Sequence, residues 1–311
     1  MKGFAAVFIS IGLLLLTGCS QEEPAYKVDL DKRKPVIKNE ETDVITYAYL
    51  PQYSHKESYQ RHHLLVEYLR RETGLNIKQI FPDTFDKHME MVGQGKIDIS
   101  FSNPFVYVKI AHRYGAMAFA RILEANGNPH FRGQIICRAD NRDIEALSDC
   151  RGKRWIAVDP SSAGGYLFQL GYFISRGIQK EDFIEIAFSP GPGGKQEKVV
   201  LSIWAKKYDL GSIREGTLNV IADRIDIGEI RVFAHTPWYP GWTYAARKGL
   251  VPETVSKVRQ ALLQLNYSQS DHRRIMEAAD ITGIISSKDQ DFNPVRELAA
   301  QIGMRLEDRP K

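Results

Sequence analysis

The clearest local signal in the chain is the stretch DPSSAGGYLFQLGYF, from Asp159 to Phe173. It continues the β-forming run KRWIAVD and places small residues ahead of an apolar run of helical length. A strand, a tight turn and a helix in this order indicate one unit of an α/β fold. The first turn of such a helix leaves backbone N–H groups free, and the helix dipole makes that end positive. We therefore predict that this turn binds an anion.

Small residues matter in this turn because they let a ligand come close to the backbone. Two serines add hydroxyl donors to the amides that follow them. A serine in this position also caps ordinary helices, and for one isolated turn that structural role is the commoner one. The candidate ligand contacts in this turn are Ser161, Ser162, Ala163, Gly164 and Gly165.

A second junction of the same kind occurs earlier, in KIDISFSNPFVY. Ser102 and Asn103 end a predicted strand, and Pro104 takes the first helical position, where proline is favoured. A plain helix cap is again the alternative. Ligands in open α/β sheets bind outside the carboxyl ends of strands. Two such junctions in separate lobes predict a shared ligand site more strongly than either does alone, so Ser102 and Asn103 join the candidates.

A third glycine-rich turn, SPGPGGKQEKVV, leads into another predicted helix. Lys195 lies at the start of that helix, where its charge opposes the helix dipole and a bound anion would offset the cost. An exposed, solvated lysine is the alternative. Asp209 comes at the far end of the same helix. Tyr53 lies near a predicted strand end and is a candidate for the wall of a cleft.

The first eighteen residues have the features of a secretion signal. Lys2 precedes an apolar run, Phe4 to Leu16, that is too short to span a bilayer. Small residues and Cys19 follow in the order of a lipobox, so we predict that Cys19 becomes the lipidated first residue of the mature protein. A secretion signal followed by a coincidental cysteine is the alternative. Residues 19–43 are charged and lack apolar periodicity, which predicts a flexible tether.

Length and composition narrow the class of protein. Roughly 270 residues follow the tether, more than a single core usually holds, so two lobes are expected. The net charge of +4 is small and the basic residues are scattered, which argues against nucleic acid as a partner. No HExxH, CxxC or GxSxG motif occurs, so we expect no enzyme, cofactor or metal site. An exported compartment permits a disulfide between Cys137 and Cys150, and two buried thiols are equally consistent with the sequence.

Hydrophobic patterns predict two series of alternating strands and helices. The first series begins with the strand DVITYAYLP and ends with the strand RGQIICRAD. The second begins with KRWIAVD and ends with two predicted strands, TLNVIADR and IRVFAHT. Two amphipathic helices, PETVSKVRQALLQLN and NPVRELAAQIGMRL, close the chain. The alternation predicts α/β lobes, the first with a largely parallel sheet, and a cleft between them.

Several stretches carry a resemblance to a known family. They are YLRRETGLNI, VGQGKIDISFSNPFVY, LSDCRGKRWIAVDPSSAGGYLFQLGYFISRGI, GPGGKQEKVVLSIWAKKYDLGS and AHTPWYPGWTYAARKGLVPE. Their order and spacing resemble the periplasmic solute-binding components of phosphate, phosphite and phosphonate ABC transporters. The resemblance implies a type II periplasmic-binding fold, in which two α/β lobes joined by two crossing strands close on a ligand without catalysis. It implies that residues 44–136 and 236–311 form lobe 1 and residues 137–235 form lobe 2.

The resemblance also implies roles for the two strand-to-helix junctions. Ser102 and Asn103 match the first-lobe loop that faces the ligand in the family. Ser161 and Ser162 lie in the loop whose hydroxyls and amides wrap the phosphonate oxygens there. Both junctions are therefore expected to contact the ligand.

The chain departs from the family pattern at several positions. Two positions that carry hydroxyls in the usual loop are Ala163 and Gly164 here. Lys195 stands where the family tends to have histidine. Asp209 matches an acidic position that can meet the amino group of an aminophosphonate. The shape of an anion pocket is expected to survive these changes.

The sequence thus predicts a lipid-anchored, monomeric binding protein at the periplasmic face of a bacterial membrane. It would capture a small phosphate-, phosphite- or phosphonate-like anion by closing its lobes about residues 134–138 and 230–236, and deliver the anion to an ABC permease. The alternative is a sensing lipoprotein of the same fold and pocket that reports to a membrane histidine kinase. Neighbouring genes for a permease or for a kinase would separate the two.

Overall fold

The computed structural model describes residues 44–307 of the chain. The predicted signal peptide, the tether and the lipidation site at Cys19 lie outside the described residues. Within residues 44–307, no helix is both long enough and apolar enough to cross a membrane.

Strands and helices alternate through most of the described part. The strands are β1 (Ile45–Tyr49), β2 (Ile77–Ile80), β3 (Ile99–Ser102), β4 (Met117–Glu124), β5 (His130–Phe131), β6 (Gly133–Arg138), β7 (Arg154–Ala157), β8 (Glu185–Phe188), β9 (Leu210–Arg214), β10 (Ile230–His235), β11 (Tyr239–Pro240), β12 (Thr243–Ala246) and β13 (Ile281–Ser286). The helices are α1 (His55–Thr73), α2 (Phe85–Gly93), α3 (Pro104–Tyr114), α4 (Phe168–Ser175), α5 (Lys195–Trp204), α6 (Thr217–Ile221), α7 (Pro252–Leu263), α8 (Ser270–Ala278) and α9 (Asn293–Gln301). A π-helical turn, Ala163–Leu167, leads directly into α4.

The first sheet has the strand order β13-β4-β12-β3-β1-β2. β1 pairs in parallel with β2 and β3, because α1 and α2 supply the crossovers that parallel pairing needs. β12 and β13 run antiparallel to their neighbours, so the prediction of a largely parallel sheet is wrong. β12 runs antiparallel to β4, because the chain leaves the first sheet after β4 and returns to it before β12.

The second sheet has the order β10-β6-β9-β7-β8, with β7 parallel to β8 and β9. The chain passes from the first sheet to the second after β4 and returns before β12. On these two connections β5 and β11 pair antiparallel, with Tyr239 opposite Phe131. The segments predicted as joints, 134–138 and 230–236, belong largely to β6 and β10, which pair with each other in the second sheet.

Local signals in the sequence explain where several helices begin and end. Ser54 caps α1 by accepting a hydrogen bond from the N–H of Glu57, and Gly74 ends it with left-handed backbone at φ 68°. Pro104 takes the first position of α3. The predictions of Gly74 as a helix end and Pro104 as a helix start are confirmed.

The region around residue 215 differs from the sequence prediction. TLNVIADR, predicted as a strand, contains α6 instead. Gly216 precedes this helix with left-handed backbone at φ 89°, and the hydroxyl of Thr217 donates to Gln196 Oε1 of α5 at 3.3 Å. Packing against α5 therefore overrides the β-forming composition. β9, whose five residues are all buried, is the strand of this region and was not predicted.

Cys137 of β6 and Cys150, in the helical turn before β7, are buried, free thiols. Cys137 and Cys150 lie in a core that also contains Trp155 and Phe173. Burial raises the pKa of Cys150 to about 12, so its thiol stays protonated at neutral pH. Of the two alternatives that the sequence left open, the structure has the buried thiols.

Candidate functional site

The two predicted strand-to-helix junctions meet between the sheets. Asn103, after β3, accepts hydrogen bonds at Oδ1 from the N–H groups of Phe105 and Val106, at 2.9 and 3.0 Å. Its Nδ2 donates to the carbonyl oxygen of Ser161, after β7, at 3.4 Å. Asn103 therefore caps α3 and also joins the first junction to the second.

Side chains of the loop after β7 hold its own backbone. Asp159 Oδ1 accepts from the N–H of Ser161 at 2.9 Å, and Ser162 Oγ accepts from the N–H of Gly165 at 3.1 Å. All four residues are buried. Ser162 therefore makes the helix cap that the sequence analysis gave as the structural alternative.

Packing explains why the turn consists of small residues. A Cβ atom on Gly165 would lie 2.4 Å from Val158 Cγ2, and one on Gly164 would lie 2.6 Å from Phe131 Cε2. Folded proteins do not contain contacts that short, so neither position admits a side chain without displacement of a neighbour. Ala163 is fully buried as well. The small residues are needed by the fold, whatever they also do for a ligand.

Two buried lysines converge on this loop. Lys195 Nζ donates to Asp159 Oδ2 at 2.8 Å and to the carbonyl oxygen of Ser189 at 3.3 Å. Lys109 Nζ, from α3, donates to Ser161 Oγ at 2.9 Å. Only 7% of Lys195 and 3% of Lys109 are exposed, so Lys195 is not a solvated surface lysine. The Asp159 carboxylate offsets the charge of Lys195 at the start of α5. The sequence alone suggested a bound anion for that role.

We call Lys109, Lys195, Asp159 and Ser161 the lysine cluster. It holds two ammonium groups and one carboxylate, and the carboxyl of Asp86 lies at its edge. Burial, followed by the nearby Asp159 carboxylate, raises the pKa of Asp86, whereas Lys109 and Lys195 oppose that rise. Hydrogen bonds from a charged donor are stronger than those between neutral groups. The two ammonium groups can therefore act as hydrogen-bond donors to a small anion.

Tyr53 lies in another contact between the two lobes. The carbonyl oxygen of Gln52 accepts from the N–H of Gln196, in the first turn of α5, at 3.2 Å. Tyr53 follows Gln52 and is 2% exposed, with the guanidinium carbon of Arg61 4.7 Å from its ring centroid. The structure therefore places Tyr53 beside the helix that carries Lys195.

A buried ion pair lies next to the turn Ala163–Gly165. Arg214 Nη2, at the end of β9, donates to Glu124 Oε2, at the end of β4, at 2.6 Å. The Cβ atom of Arg214 is 3.1 Å from the position that a Cβ on Gly164 would take. Burial raises the pKa of the Glu124 carboxyl, and the guanidinium of Arg214 opposes that rise. The pair joins the two sheets at the edge of the turn.

Fourteen buried side-chain polar atoms lack a hydrogen-bond partner among residues 44–307, and four of them lie here. They are Ser102 Oγ, Glu124 Oε1, Arg214 Nε and Trp242 Nε1. The Trp242 ring centroid is 5.8 Å from the Arg214 guanidinium, and Ser102 pairs with Thr243, the neighbour of Trp242, across β3 and β12. Buried polar groups are nearly always paired in folded proteins. A polar ligand between the sheets could satisfy these four atoms.

Asp209 lies apart from the other candidates. Its Oδ2 accepts from the N–H of Arg154 at 2.7 Å, at the start of β7, whereas Asp159 follows the end of that strand. A strand rises by about 3.3 Å per residue, so the two carboxylates are separated by on the order of 15 Å. The structure does not bring Asp209 to the lysine cluster.

Lys109, Arg214 and Glu124 are among the residues of the site that were not predicted. Lys109 had a signal, because it lies with Val106 and Ile110 on the buried face of α3, where a lysine is unexpected. Arg214 had none, since β9 itself was not predicted. Glu124 had none either, because a glutamate at a strand end is typical of an ordinary surface position.

The chain is similar to known proteins over most of its length. Residues 47–292 match the family described as ABC transporter, phosphonate, periplasmic substrate-binding protein. The phosphate-import protein PhnD of Mycolicibacterium smegmatis is 26% identical over 278 residues, which cover 84% of this chain and 86% of that protein. The tetrathionate sensor histidine kinase TtrS of Salmonella typhimurium is 23% identical over 205 residues, 62% of this chain but 35% of the kinase.

A solved structure supports the fold. PhnD1 of Prochlorococcus marinus, in complex with methylphosphonate, superposes with a TM-score of 0.75 at 13% identity, covering 84% of this chain and 99% of that one. Both chains therefore share one architecture. The type II periplasmic-binding fold predicted from the sequence is confirmed.

Proposed function

The chain belongs to the phosphonate family of periplasmic substrate-binding proteins of ABC transporters, and on that basis we propose that it captures a small oxyanion of the phosphonate or phosphate class between its lobes. Two relatives support this ligand class, one named as a phosphate-import protein and one solved with methylphosphonate. The protein then presents the oxyanion to an ABC permease.

The lysine cluster is the observation that carries the proposal. Lys109 and Lys195 bring two buried ammonium groups to a loop that also carries Asp159, with Asp86 close by. An oxyanion beside Ser161 can accept hydrogen bonds from these ammonium groups. Each hydrogen bond between an ammonium group and a charged oxygen contributes about 1.5–3 kcal/mol.

The ligand contacts come from both lobes. They are Tyr53, Ser102, Asn103, Lys109, Ser161, Lys195 and the backbone of Ala163 and Gly164, since the N–H of Gly165 is engaged by Ser162. Ser162 acts on this turn indirectly, since its hydroxyl is engaged as the cap. Asp209 takes no part in the arrangement, because it lies at the opposite end of β7.

Binding is coupled to a hinge motion between the lobes. The lobes predicted as residues 44–136 with 236–311 and as residues 137–235 move against each other, but residues 133–136 move with the second lobe because β6 belongs to the second sheet. The pairing of β5 with β11, on the two connections between the sheets, makes this ribbon the place where the chain bends. Contacts such as Asn103 Nδ2 to Ser161 O and Arg214 to Glu124 then belong to the closed form.

The anchor and the cellular place follow from the sequence. Lipidation at Cys19 holds a monomeric protein at the periplasmic face of the membrane, within reach of the permease. Cys19→Ala should release the protein into the soluble fraction, because the lipid supplies the membrane affinity. Membrane fractionation that is the same for both forms would contradict the anchor.

The protein binds its ligand without turnover. The matching family is one of substrate-binding proteins, which supports a role in transport rather than catalysis. Phosphorus NMR of methylphosphonate incubated with purified protein should show the ligand unchanged. Release of phosphate would overturn this part of the proposal.

Sensing is the second candidate function. The similarity to a sensor histidine kinase covers 62% of this chain and supports a protein that reports its ligand to a membrane kinase. The same fold and pocket serve both functions. Co-purification of the full-length lipoprotein with a permease, or with a kinase, separates the two.

Titration calorimetry tests the proposed function. Phosphate, phosphite, methylphosphonate, aminoethylphosphonate, sulfate and acetate are compared on one preparation. Lys109→Met should weaken binding of the best oxyanion by roughly 10- to 100-fold, because one charge-assisted hydrogen bond is lost. Lys206→Met is the control, since the Lys206 side chain is 65% exposed. Equal affinities in both variants would contradict the assignment of the lysine cluster.

A further inference from the structure

The outer end of the first sheet is the end at which the predicted tether joins. β1, β3 and β4 begin there, and β12 ends there with its last residue opposite Met117. The N–H of Arg247, just after β12, donates to the carbonyl oxygen of Asp98, just before β3, at 3.0 Å. Val44 precedes β1 and directly follows the predicted tether, residues 19–43. The cleft lies at the opposite ends of β3 and β4, roughly 25 Å away, because β4 is eight residues long.

The surface at this end carries an excess of positive charge. We call it the outer face, and it consists of the residue before β1 and three loops: Val44, 93–98, 114–117 and 247–251. Lys96 and Lys248 are exposed, and the Arg247 side chain is 28% exposed. Asp98 is the one carboxylate in these segments, and it is 8% exposed and pairs with Arg247 at 2.7 Å. Three cationic groups therefore face a single, shielded carboxylate.

Carboxylates on the neighbouring helices do not cancel this excess. Glu90, near the end of α2, pairs with Lys87 at 3.2 Å. Glu253, in the first turn of α7, pairs with Lys257 at 2.9 Å. Each of these pairs is neutral as a whole. The outer face therefore keeps its positive charge.

A hollow of about 370 Å³ opens on the outer face. Arg247 and Lys248 line it together with the turn 92–95. Gly95 and Gly115 have left-handed backbone, at φ 71° and 70°, and a Cβ on Gly115 would lie 3.2 Å from Lys248 Cδ. Arg247 Nη1 donates to the carbonyl oxygen of Lys248 at 3.1 Å, which holds the guanidinium beside the lysine. Two cationic side chains thus meet in a hollow of a size that ligand sites have.

Exposed apolar side chains lie among these cationic groups. Val44, Met117 and Val251 are 47%, 62% and 59% exposed. Single exposed apolar residues are ordinary on protein surfaces. Here three of them share one end of one sheet with Lys96, Lys248 and the hollow. Basic groups combined with exposed apolar side chains are typical of surfaces that lie in the headgroup layer of a membrane.

We propose that the outer face is a membrane-docking surface, which binds the anionic headgroups of phospholipids through Lys96, Arg247 and Lys248. The proposal rests on the anchor proposed at Cys19, because that lipid holds the end of the lobe at Val44 near the bilayer. Each basic side chain close to an anionic membrane adds to the attraction. Docking turns the cleft away from the bilayer, so lipid phosphate groups do not compete with the ligand of the cleft.

The first test places a fluorophore on Met117→Cys in the full-length lipoprotein, reconstituted into vesicles that contain a nitroxide-labelled headgroup. Cys137 and Cys150 are buried, so the label goes to position 117. Quenching should be at least roughly threefold stronger in vesicles with phosphatidylglycerol than in phosphatidylcholine alone, and should fall as salt rises. The same label on Ile184→Cys, which is 73% exposed before β8, should show no such difference. Equal quenching at position 117 in the two kinds of vesicle overturns the docking surface.

The second test removes charge from the outer face. Lys96→Gln combined with Lys248→Gln should lower the equilibrium constant for docking, taken from the quenched fraction, by roughly 10- to 30-fold. Arg247 is kept, because its ion pair is part of the fold. Lys206→Gln combined with Lys207→Gln is the matched control, since it removes two exposed lysines from the second lobe. Unchanged quenching in the first double variant, with an unchanged melting temperature, overturns the assignment.

The outcomes separate this inference from the anchor on which it rests. If Cys19→Ala fractionates with membranes as the unmodified protein does, the anchor fails and the argument for docking fails with it. If the lipoprotein is anchored but the label on Met117→Cys is not quenched in anionic vesicles, the docking surface alone is wrong. A dimer in detergent with that label shielded would show that a second copy covers the outer face, and would also overturn the proposal.

Discussion

The buried pair between Lys195 and Asp159 allows a direct test of how charge is balanced in the cleft. Asp159→Asn keeps the shape of the side chain and the oxygen that accepts from the N–H of Ser161, but it removes the charge that faces Lys195. The two side chains are only 9% and 10% exposed. Removing one partner of such a pair leaves an uncompensated buried charge and costs about 3–5 kcal/mol. Since 1 kcal/mol corresponds to about 2–4 °C in a protein of this size, the melting temperature should fall by roughly 6–20 °C.

The same substitution should increase the stabilisation that a ligand gives. Without Asp159, an oxyanion supplies the negative charge that Lys195 has lost. Ligand at about 100 times its Kd adds about 2.7 kcal/mol of stability by mass action, and a tighter complex gains more at the same concentration. Thermal unfolding followed by circular dichroism, with and without methylphosphonate, should therefore show a larger ligand-induced shift for Asp159→Asn than for the unmodified protein.

A surface ion pair provides the control. Lys206 Nζ and Asp140 Oδ2 are also 2.8 Å apart, but their side chains are 65% and 52% exposed. Asp140→Asn should change the melting temperature little and leave the ligand-induced shift unchanged, because solvent screens the pair. If Asp159→Asn behaves like Asp140→Asn in both measurements, the charge balance inferred for the lysine cluster is refuted.

Three further predictions concern packing, acid and closure. Gly164→Ser, which restores a hydroxyl of the related loops, should lower the free energy of unfolding by about 1–3 kcal/mol, because its Cβ would lie 2.6 Å from Phe131 Cε2. Phe131→Leu in the same chain should recover part of this loss. Unchanged stability of Gly164→Ser would contradict the packing argument. Acid should destabilise the fold between pH 6.5 and 3, because burial lowers the pKa of His62 and His88 from 6.5 to about 3 and the unfolded chain takes up protons first. The loss is roughly 2 kcal/mol per histidine at pH 5, and a melting temperature that stays constant from pH 7 to 5 would refute it. Small-angle scattering should show a smaller radius of gyration when methylphosphonate is added, whereas an identical radius with a ligand shown to bind would count against hinge closure.

Much of the fold could be predicted because it is encoded locally. Gly74 and Pro104 mark helix ends through their backbone preferences alone. The direction of β12 could not be predicted in this way, since it depends on the route of the chain between two sheets. α6 was missed for a similar reason, because its contact with Gln196 overrides the β-forming composition of the segment.

The candidate site was predictable in part. The junctions at Ser102–Asn103 and Asp159–Ser162 carry their own signals, namely small or capping residues after a β-forming run. Lys109 reaches Ser161 across 52 positions of sequence, and no local pattern records such a contact. Arg214 and Glu124 come from different sheets and are separated by 90 positions, so their pairing is a property of the tertiary structure alone.

The position of Trp242 has an optical consequence. Its indole is 2% exposed, stacks on Tyr49 with ring centroids 5.6 Å apart, and lies 5.8 Å from the guanidinium of Arg214. Of the other tryptophans, Trp155 is sealed in the core of the second sheet, whereas Trp204 and Trp238 are substantially exposed. Indole emission responds to charge and to hydrogen bonding at its nitrogen, so the intrinsic fluorescence of the unlabelled protein should change when an oxyanion enters the cleft, which makes the chain its own reporter of ligand.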